Sequence, residues 1–439
     1  MTGPRVLPAR FTIAAGELPP AVFPITKETN MTGPLDGVRI LDLTSNFMGP
    51  FATLLLADMG ADVVKIESTA GDTTRGVGPR RNPGMGAIFL HLNRNKRSVV
   101  LDLKSGGGNA ALQRMLASAD VLLYSLRPKS MARLGLAYEQ VHERNPRLIY
   151  CGTFGFGQNG PYADRPAYDD LIQAAVGMPV LQSRKTGEPT YIATAIADRV
   201  VGMAAANAIT TALYRRERSG HGQEVQVPMF ETFAQFAMGD HLYGHTFIPS
   251  IGTSGYARMM NSDRRPYRTR DGYLGVNVYN DKHWHRFFPL AGKPEMAQDP
   301  RFADIGGRTE NIGLLYRFLA EVFETKTTAE WVRILSEADI PAIEMNTPET
   351  LLDDPHMKDV GFFIEEEHPT EGLLRSLSIP QQWSEDAPEL RYPAPRLGEN
   401  SIQVLSEYGF GDDEIEHLVS TGAAHTPQTL QARSGSVTG

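Results

Sequence analysis

The feature that most constrains this chain is a recurrence of short apolar runs separated by helix-forming stretches, repeated up to residue 150. Val38-Arg39-Ile40-Leu41-Asp42-Leu43 has strand character. Pro50 to Met59 is an apolar helical stretch with proline at its opening, and Val63-Val64-Lys65-Ile66-Glu67 is a strand again. The pattern continues through Ser98-Val99-Val100-Leu101, a helix from Gly108 to Ala117, Val121-Leu122-Leu123-Tyr124, a helix near Tyr138 to Glu143, and Leu148-Ile149-Tyr150. Strands alternating with helices in this way predict a parallel sheet covered by helices on both faces. The expected fold class is therefore α/β, with a Rossmann-like large domain.

The rest of the chain divides more loosely. A long apolar helix is expected from Val200 to Tyr214, stopped by Arg215-Arg216 and Ser219-Gly220-His221-Gly222. Residues 31–229 then form the first part of the large domain, and 230–255, where alternation stops, read as a linker. Residues 256–345 form a smaller α+β domain, with a hairpin turn at Arg270-Asp271-Gly272-Tyr273 and a helix from Thr327 to Ala338 opened by a Thr327/Glu330 capping box. Residues 346–421 return to the large domain. The Pro-rich stretch 1–30 reads as a disordered extension with Met31 as the natural start, and 422–439, rich in Ser, Thr, Gly and Gln, as a disordered tail.

A net charge of −8 over 439 residues argues against a nucleic-acid surface, which needs a dense basic footprint. No run reaches the roughly 18 apolar residues of a membrane helix, and the N-terminus lacks the pattern of a secretory signal, so a cytoplasmic protein is expected. The single cysteine, Cys151, ends an apolar strand and reads as packing. The turn Thr44-Ser45-Asn46-Phe47-Met48-Gly49-Pro50 lacks the glycine fingerprint of a dinucleotide site, although Glu67 closes the second strand where a ribose-binding acid can sit. His241 and His245 stand four apart, but Leu242 and Gly244 break the metalloprotease pattern and no metal site is expected.

Two features point to chemistry. Arg75, Arg80, Arg81, Arg94, Lys96, Arg97, Arg127, Lys129 and Arg133 concentrate basic charge in the N-terminal half, as either a solvated face or a seat for an anionic ligand's phosphates. Asp198 stands directly ahead of the long helix. There it reads as an N-cap, and equally as a carboxylate kept ionised by the helix dipole and so available as a nucleophile. The glycine-rich turn from Gly152 to Pro161 offers amides for an oxyanion, or simply makes a turn.

From Leu35 to Leu418 these stretches resemble the class III CoA-transferases. The match runs through Leu35 to Leu43, Gly49-Pro50, Met59 to Glu67, and Asn93 to Asp102. It resumes at Gly155-Phe156-Gly157-Gln158-Asn159-Gly160-Pro161, Pro166-Ala167-Tyr168-Asp169, Arg218 to Gln223, and Leu397-Gly398-Glu399. The family's nucleophilic aspartate precedes a long helix in an Asp-x-x-x-Gly setting, here Asp198 to Gly202. The resemblance implies CoA contacts at Phe47 and Met48, on the segment Leu101 to Lys104, at Ser125, Leu126 and Arg127, and at Arg133, with Tyr168 and Asp169 as a neighbouring pair. It further implies acyl-CoA and carboxylic acid substrates, no permanently bound cofactor, and an interlocked, ring-like homodimer.

Two positions depart from that pattern. Ser68 stands where the family often has arginine, so the adenine contact is lost or moved to Arg75 or Arg80, and Gly252-Thr253-Ser254-Gly255 is only a modest stand-in for the glycine loop over the thioester. The alternatives are an acyl-CoA racemase on the same fold, whose Gly-His-Asp corresponds here to Ala167-Tyr168-Asp169, and a non-catalytic CoA-binding protein.

Overall fold

The computed structural model describes residues 33–435. The expectations for residues 1–30 and for a start at Met31 fall outside them. Six strands, β1 (Arg39–Leu43), β2 (Asp62–Glu67), β3 (Lys96–Leu101), β4 (Val121–Tyr124), β5 (Ile149–Phe154) and β6 (Gln223–Pro228), form one parallel sheet in the order β3-β2-β1-β4-β5-β6. β3 and β4 are buried at every position, which is why Val99-Val100-Leu101 and Val121-Leu122-Leu123-Tyr124 are apolar without alternation, while the charged start of β3, Lys96 and Arg97, is buried in ion pairs. One core lies on each face: Val64, Val99, Leu112 and Met115 on one, and Ile40, Leu56, Val201 and Ile209 on the other. Cys151 sits in the second core, and burial pushes its thiol pKa up to about 12, so it is inert packing as expected.

The small unit is built on β7 (Tyr267–Arg268), β8 (Tyr273–Val276) and β9 (Ala342–Glu344), an antiparallel sheet in that order. Its core is aromatic, with Trp284, Phe287, Phe288, Phe323 and Trp331 all buried. The Thr327/Glu330 capping box forms as the spacing predicts, and the turn between β7 and β8 falls on Arg270 to Gly272. A hairpin of β10 (Phe363–His368) and β11 (Gly372–Leu377) follows. The chain then packs back on the large sheet: the Arg391 guanidinium donates to the carbonyls of Ala57 and Ala61, and Ser401 Oγ accepts from the Val100 N–H.

Three expectations are corrected. The stretch read as a linker from 230 begins with the helix Met229–His241, whose Met229, Phe233 and Ala237, spaced four apart, form a buried stripe, with Met229 and Phe233 in the second core. The long helix spans Ile196–Ser219, not Val200 to Tyr214. Its last turn stays helical through Arg216, which is buried and pairs with Asp120 at 2.7 Å, and the helix stops only at Gly220 with φ 75°. The tail expected from 422 instead supplies β12 (Ala424–His425), antiparallel to β3, followed by a helix Pro427–Gly435. Ala423 and Ala424 are buried against Leu418 and β3, a packing that a two-residue strand cannot announce through periodicity.

Candidate active site

In a parallel sheet the strand order reverses at one point, and the loops there diverge to leave a crevice at the strands' C-terminal ends. Here the reversal falls between β1 and β4. Two cavities of about 860 and 530 Å³ lie over that edge and share Ser45, Ser125 and Leu126, so they form one cleft. The larger is lined by the ends of β1, β2 and β3 and by Leu101, Lys104 and Arg133. The smaller is lined by Phe47, Met48, Arg127, Tyr168, Asp169 and Asp198. Asp198 and every residue at which the resemblance implies a CoA contact therefore border this one cleft, although they come from six separate stretches of chain.

The turn after β1 is held from beneath by a buried ionic network. Lys65 Nζ lies 2.8 Å from Asp72 Oδ2 and donates to the Thr44 carbonyl at 2.9 Å, with neither side chain exposed. Asp42 accepts from the hydroxyls of Thr44 (2.5 Å) and Thr53 (2.6 Å), and Lys96 Nζ stands 3.5 Å from it. Burial alone would protonate Asp42. The Lys65 and Lys96 charges and the two hydroxyls outweigh it and hold the carboxyl below its ordinary range. Asn46 takes a left-handed φ of 68°, which asparagine tolerates, and its N–H donates to Asp72 Oδ1 at 3.2 Å.

This network divides the basic residues the sequence could not separate. Arg75 is buried in a bidentate pair with Glu67, through Nε at 2.8 Å and Nη2 at 2.7 Å, so neither the expected ribose-binding acid nor a stand-in for the family arginine is free there. Arg94 pairs with Asp58 at 2.8 Å, and Arg97 with Asp62 at 2.6 Å and with Glu407 at 2.5 Å. Lys129 reaches Asp164 on the surface, while Arg80 and Arg81 bond to the carbonyls of Gly76 and Glu371. Only Arg127, Arg133 and the unforeseen Arg165 join Lys104 in lining the cleft. Ser68 lines the larger cavity, as does Arg133.

Asp198 lies in the first turn of the helix Ile196–Ser219 but is not its N-cap, a place taken by Ala195. Its own N–H donates to Asp169 Oδ1 at 3.0 Å. The half-buried carboxyl is pushed up to about 7, first by burial and then by the Asp169 charge, with Arg199 opposing. Loss of water and a neighbouring like charge thus act against the ionisation that a place at the helix start was expected to favour. Arg199 is turned over the Phe51 ring, 4.4 Å from its centre.

In the glycine-rich turn, Gly155 and Gln158 line the smaller cavity, and a Cβ on Gly155 would lie 2.2 Å from that of Ala167. The amide of Gly157, one of the expected oxyanion donors, is already taken by the Glu231 carboxylate at 2.9 and 3.2 Å. Gly252 to Gly255 line neither cavity. They fold back on the end of the helix Met229–His241, where Gly255 N–H donates to the His241 carbonyl at 2.8 Å and His241 Nδ1 accepts from the Tyr256 N–H. Among the described residues no group of acids, histidines or cysteine is placed to hold a metal, and no helix is long and apolar enough to cross a membrane.

Gly202 has a packing reason of its own: a Cβ there would stand 2.8 Å from the Met48 carbonyl, so the helix Ile196–Ser219 and the helix Met48–Asp58 approach backbone to backbone at this residue. Gly202→Val is expected to force them apart at a cost of about 1–3 kcal/mol, read as a lowered midpoint in urea unfolding.

A family model described as CoA-transferase family III matches residues 35–401. The acetyl-CoA:oxalate CoA-transferase of Acetobacter aceti is 33% identical over 86% of this chain and 96% of its own length. Human succinyl-CoA:glutarate CoA-transferase is 29% identical over 92% of both chains. Among solved structures, a crystal structure of Rv3272 from M. tuberculosis superposes with a TM-score of 0.74 at 31% identity, covering 85% of this chain and 99% of that one.

Proposed function

The chain belongs to CoA-transferase family III, and on that premise we propose that it moves coenzyme A from an acyl-CoA to a carboxylic acid through Asp198. The observation that carries this reading is the placement of Asp198 in the narrower part of a cleft whose wider part presents Lys104 and Arg133 at the strand ends. The wider part suits the phosphates and nucleotide of coenzyme A, held by the two cations. The pantetheine arm then passes Ser45, Ser125 and Leu126, the residues common to both cavities, and delivers the thioester to Asp198.

An Asp198 oxygen attacks the thioester carbonyl carbon, the C–S bond breaks, and the thiolate leaves an acyl-aspartyl anhydride. The thiolate next attacks the aspartyl carbonyl. The anhydride C–O bond breaks, the donor acid departs as carboxylate, and Asp198 carries coenzyme A as a thioester. The acceptor carboxylate runs the two steps in reverse, yielding its own CoA ester and a free Asp198. Each step exchanges one activated acyl bond for another, so none requires ATP.

No histidine lines either cavity among the described residues, which favours transfer over the proton movement of an epimerase. The relatives named above act on oxalate and glutarate, so dicarboxylates are the first acceptors to try. The chain is read as one half of an interlocked homodimer in the cytoplasm. Exposed apolar side chains at Phe236, Phe247, Ile248 and Ile251 support an assembly.

Intact-mass measurement after incubation with succinyl-CoA or acetyl-CoA tests the proposal. A hydroxylamine-labile adduct of coenzyme A is expected on wild type and not on Asp198→Ala. No adduct from any donor in a wider acyl-CoA panel would leave the racemase and binding-protein readings.

A further inference from the structure

Behind Asp198 runs a hydrogen-bonded chain whose innermost member lines neither cavity. Gln173 is fully buried on the helix Asp169–Ala175, four residues and one turn from Asp169. Its Nε2 donates to Asp169 Oδ2 at 2.6 Å, and its Oε1 accepts from the Ile192 N–H at 3.0 Å. The second bond fixes the amide's orientation. Because Ile192 can only donate there, the carbonyl of Gln173 must face it and the NH₂ must face Asp169. Asp169 in turn uses its other oxygen on the Asp198 N–H.

We propose that Gln173 is a positioning residue: it holds the Asp169 carboxyl against the main chain of Asp198 and ties both to the segment at Ile192, fixing where the nucleophile sits and the charge it faces. The inference rests on Asp198 being the nucleophile. With a donor on each oxygen, Asp169 keeps its charge in one fixed place beside Asp198, whose carboxyl, raised to about 7 by burial and by that charge, takes up a proton near neutrality. Once lost, that proton leaves a carboxylate more nucleophilic than an ordinary aspartate.

The charges facing the pair are few. Asp170 lies on the same helix as Asp169, and Arg199 follows Asp198 on its own helix. Arg127 and Arg165 come from the loops after β4 and β5. Glu231, on the helix Met229–His241, is engaged by Gly157. On the helix Met48–Asp58 the only charge, Asp58, is spent on Arg94.

The test is the pH dependence of single-turnover enzyme–CoA thioester formation from succinyl-CoA, or from acetyl-CoA if wild type accepts that donor instead. Gln173→Met keeps the length and loses the donor. The Asp169 charge is then no longer fixed against Asp198, its push on the Asp198 carboxyl weakens, and the acid limb is expected to move to lower pH by about 0.5 unit or more, with kcat reduced and KM little changed. Gln173→Glu, buried beside a carboxylate, remains protonated near neutrality and still donates to Asp169. It is expected to keep the wild-type acid limb and to add an alkaline fall as Glu ionises. An unshifted limb in Gln173→Met overturns the proposal. If that variant does not fold, a Gln173→Glu profile that overlays wild type at all pH values overturns it equally. Asp198→Ala runs alongside: a CoA adduct on that variant would refute the nucleophile reading itself, whatever the Gln173 variants do.

Discussion

Asp198→Asn is expected to lose at least about a thousandfold in turnover and yet to melt at a higher temperature than wild type at pH 8. The first half follows from removing the only oxygen nucleophile the mechanism uses, in a variant that keeps the shape of the side chain and the N–H bonded to Asp169. The second half follows from linkage. The folded-state pKa of Asp198 is raised to about 7 from an ordinary 3.8, so the folded protein binds a proton through that interval and the unfolded chain does not. The proton-linked stability is complete below about pH 4 and lost as pH rises through 7. Asparagine carries no proton to lose. The melting difference between variant and wild type should therefore be small near pH 5 and grow towards pH 8. Thermal melts at both pH values read the effect, and a variant less stable than wild type at pH 8 would show that the carboxylate is stabilised where it stands. The same titration predicts that wild-type acylation rises with pH up to about 7, as Asp198 ionises.

The large sheet was legible because strands buried on both faces leave a signature that needs no partner to interpret, as in Val63-Val64 and Val99-Val100. The location of the cleft was legible for the same reason, since it follows from where parallel strands end. The ionic identity of individual residues was not. Arg75, Arg94, Lys96 and Arg97 look no different in sequence from Arg127 and Arg133. What separates them is Glu67, Asp58, Asp42 and Asp62, acids brought opposite by strand pairing and helix packing. The same limit affected Asp198. Its place at a helix start was visible from the residues themselves, whereas Asp169, 29 residues earlier, was placed beside the site only by the family resemblance; burial together with that neighbour makes the carboxyl titrate near neutrality. Gln173 carried one faint signal, its i,i+4 spacing from Asp169 on what proves to be a helix.

Lys65→Met should be the most destabilising of the substitutions considered, at about 3–5 kcal/mol and a fall in Tm of about 5–10 °C. Methionine fills nearly the same volume, so the loss is electrostatic rather than a cavity. Burial pulls the Lys65 ammonium towards neutrality, but Asp42, Asp72 and Glu67 outweigh it and hold its pKa above the usual lysine range. Without that charge Asp72 Oδ2 has no cation, and Asp42 keeps only Lys96, 3.5 Å away and itself brought down to about 7 by burial. Both carboxyls are held below 3.8 in wild type, so their contribution to stability is present above that value and fades as pH falls through the folded pKa. In the variant they take up protons at higher pH. The stability gap should therefore close on acidification, the opposite of what a packing defect gives. A Lys65→Met, Asp72→Asn double variant should be more stable than Lys65→Met alone, because it removes the orphaned charge and leaves an amide oxygen for the Asn46 and Thr74 N–H groups. The consequence for the cleft is separable from stability. Lys65 also donates to the Thr44 carbonyl and Asp72 accepts from Asn46, so the Thr44–Phe47 turn loses its two deepest anchors, and KM for acyl-CoA should rise even where the variant is fully folded. An unchanged KM in folded Lys65→Met would mean that the turn is held by the helix that follows it, and that the ionic network serves the sheet alone.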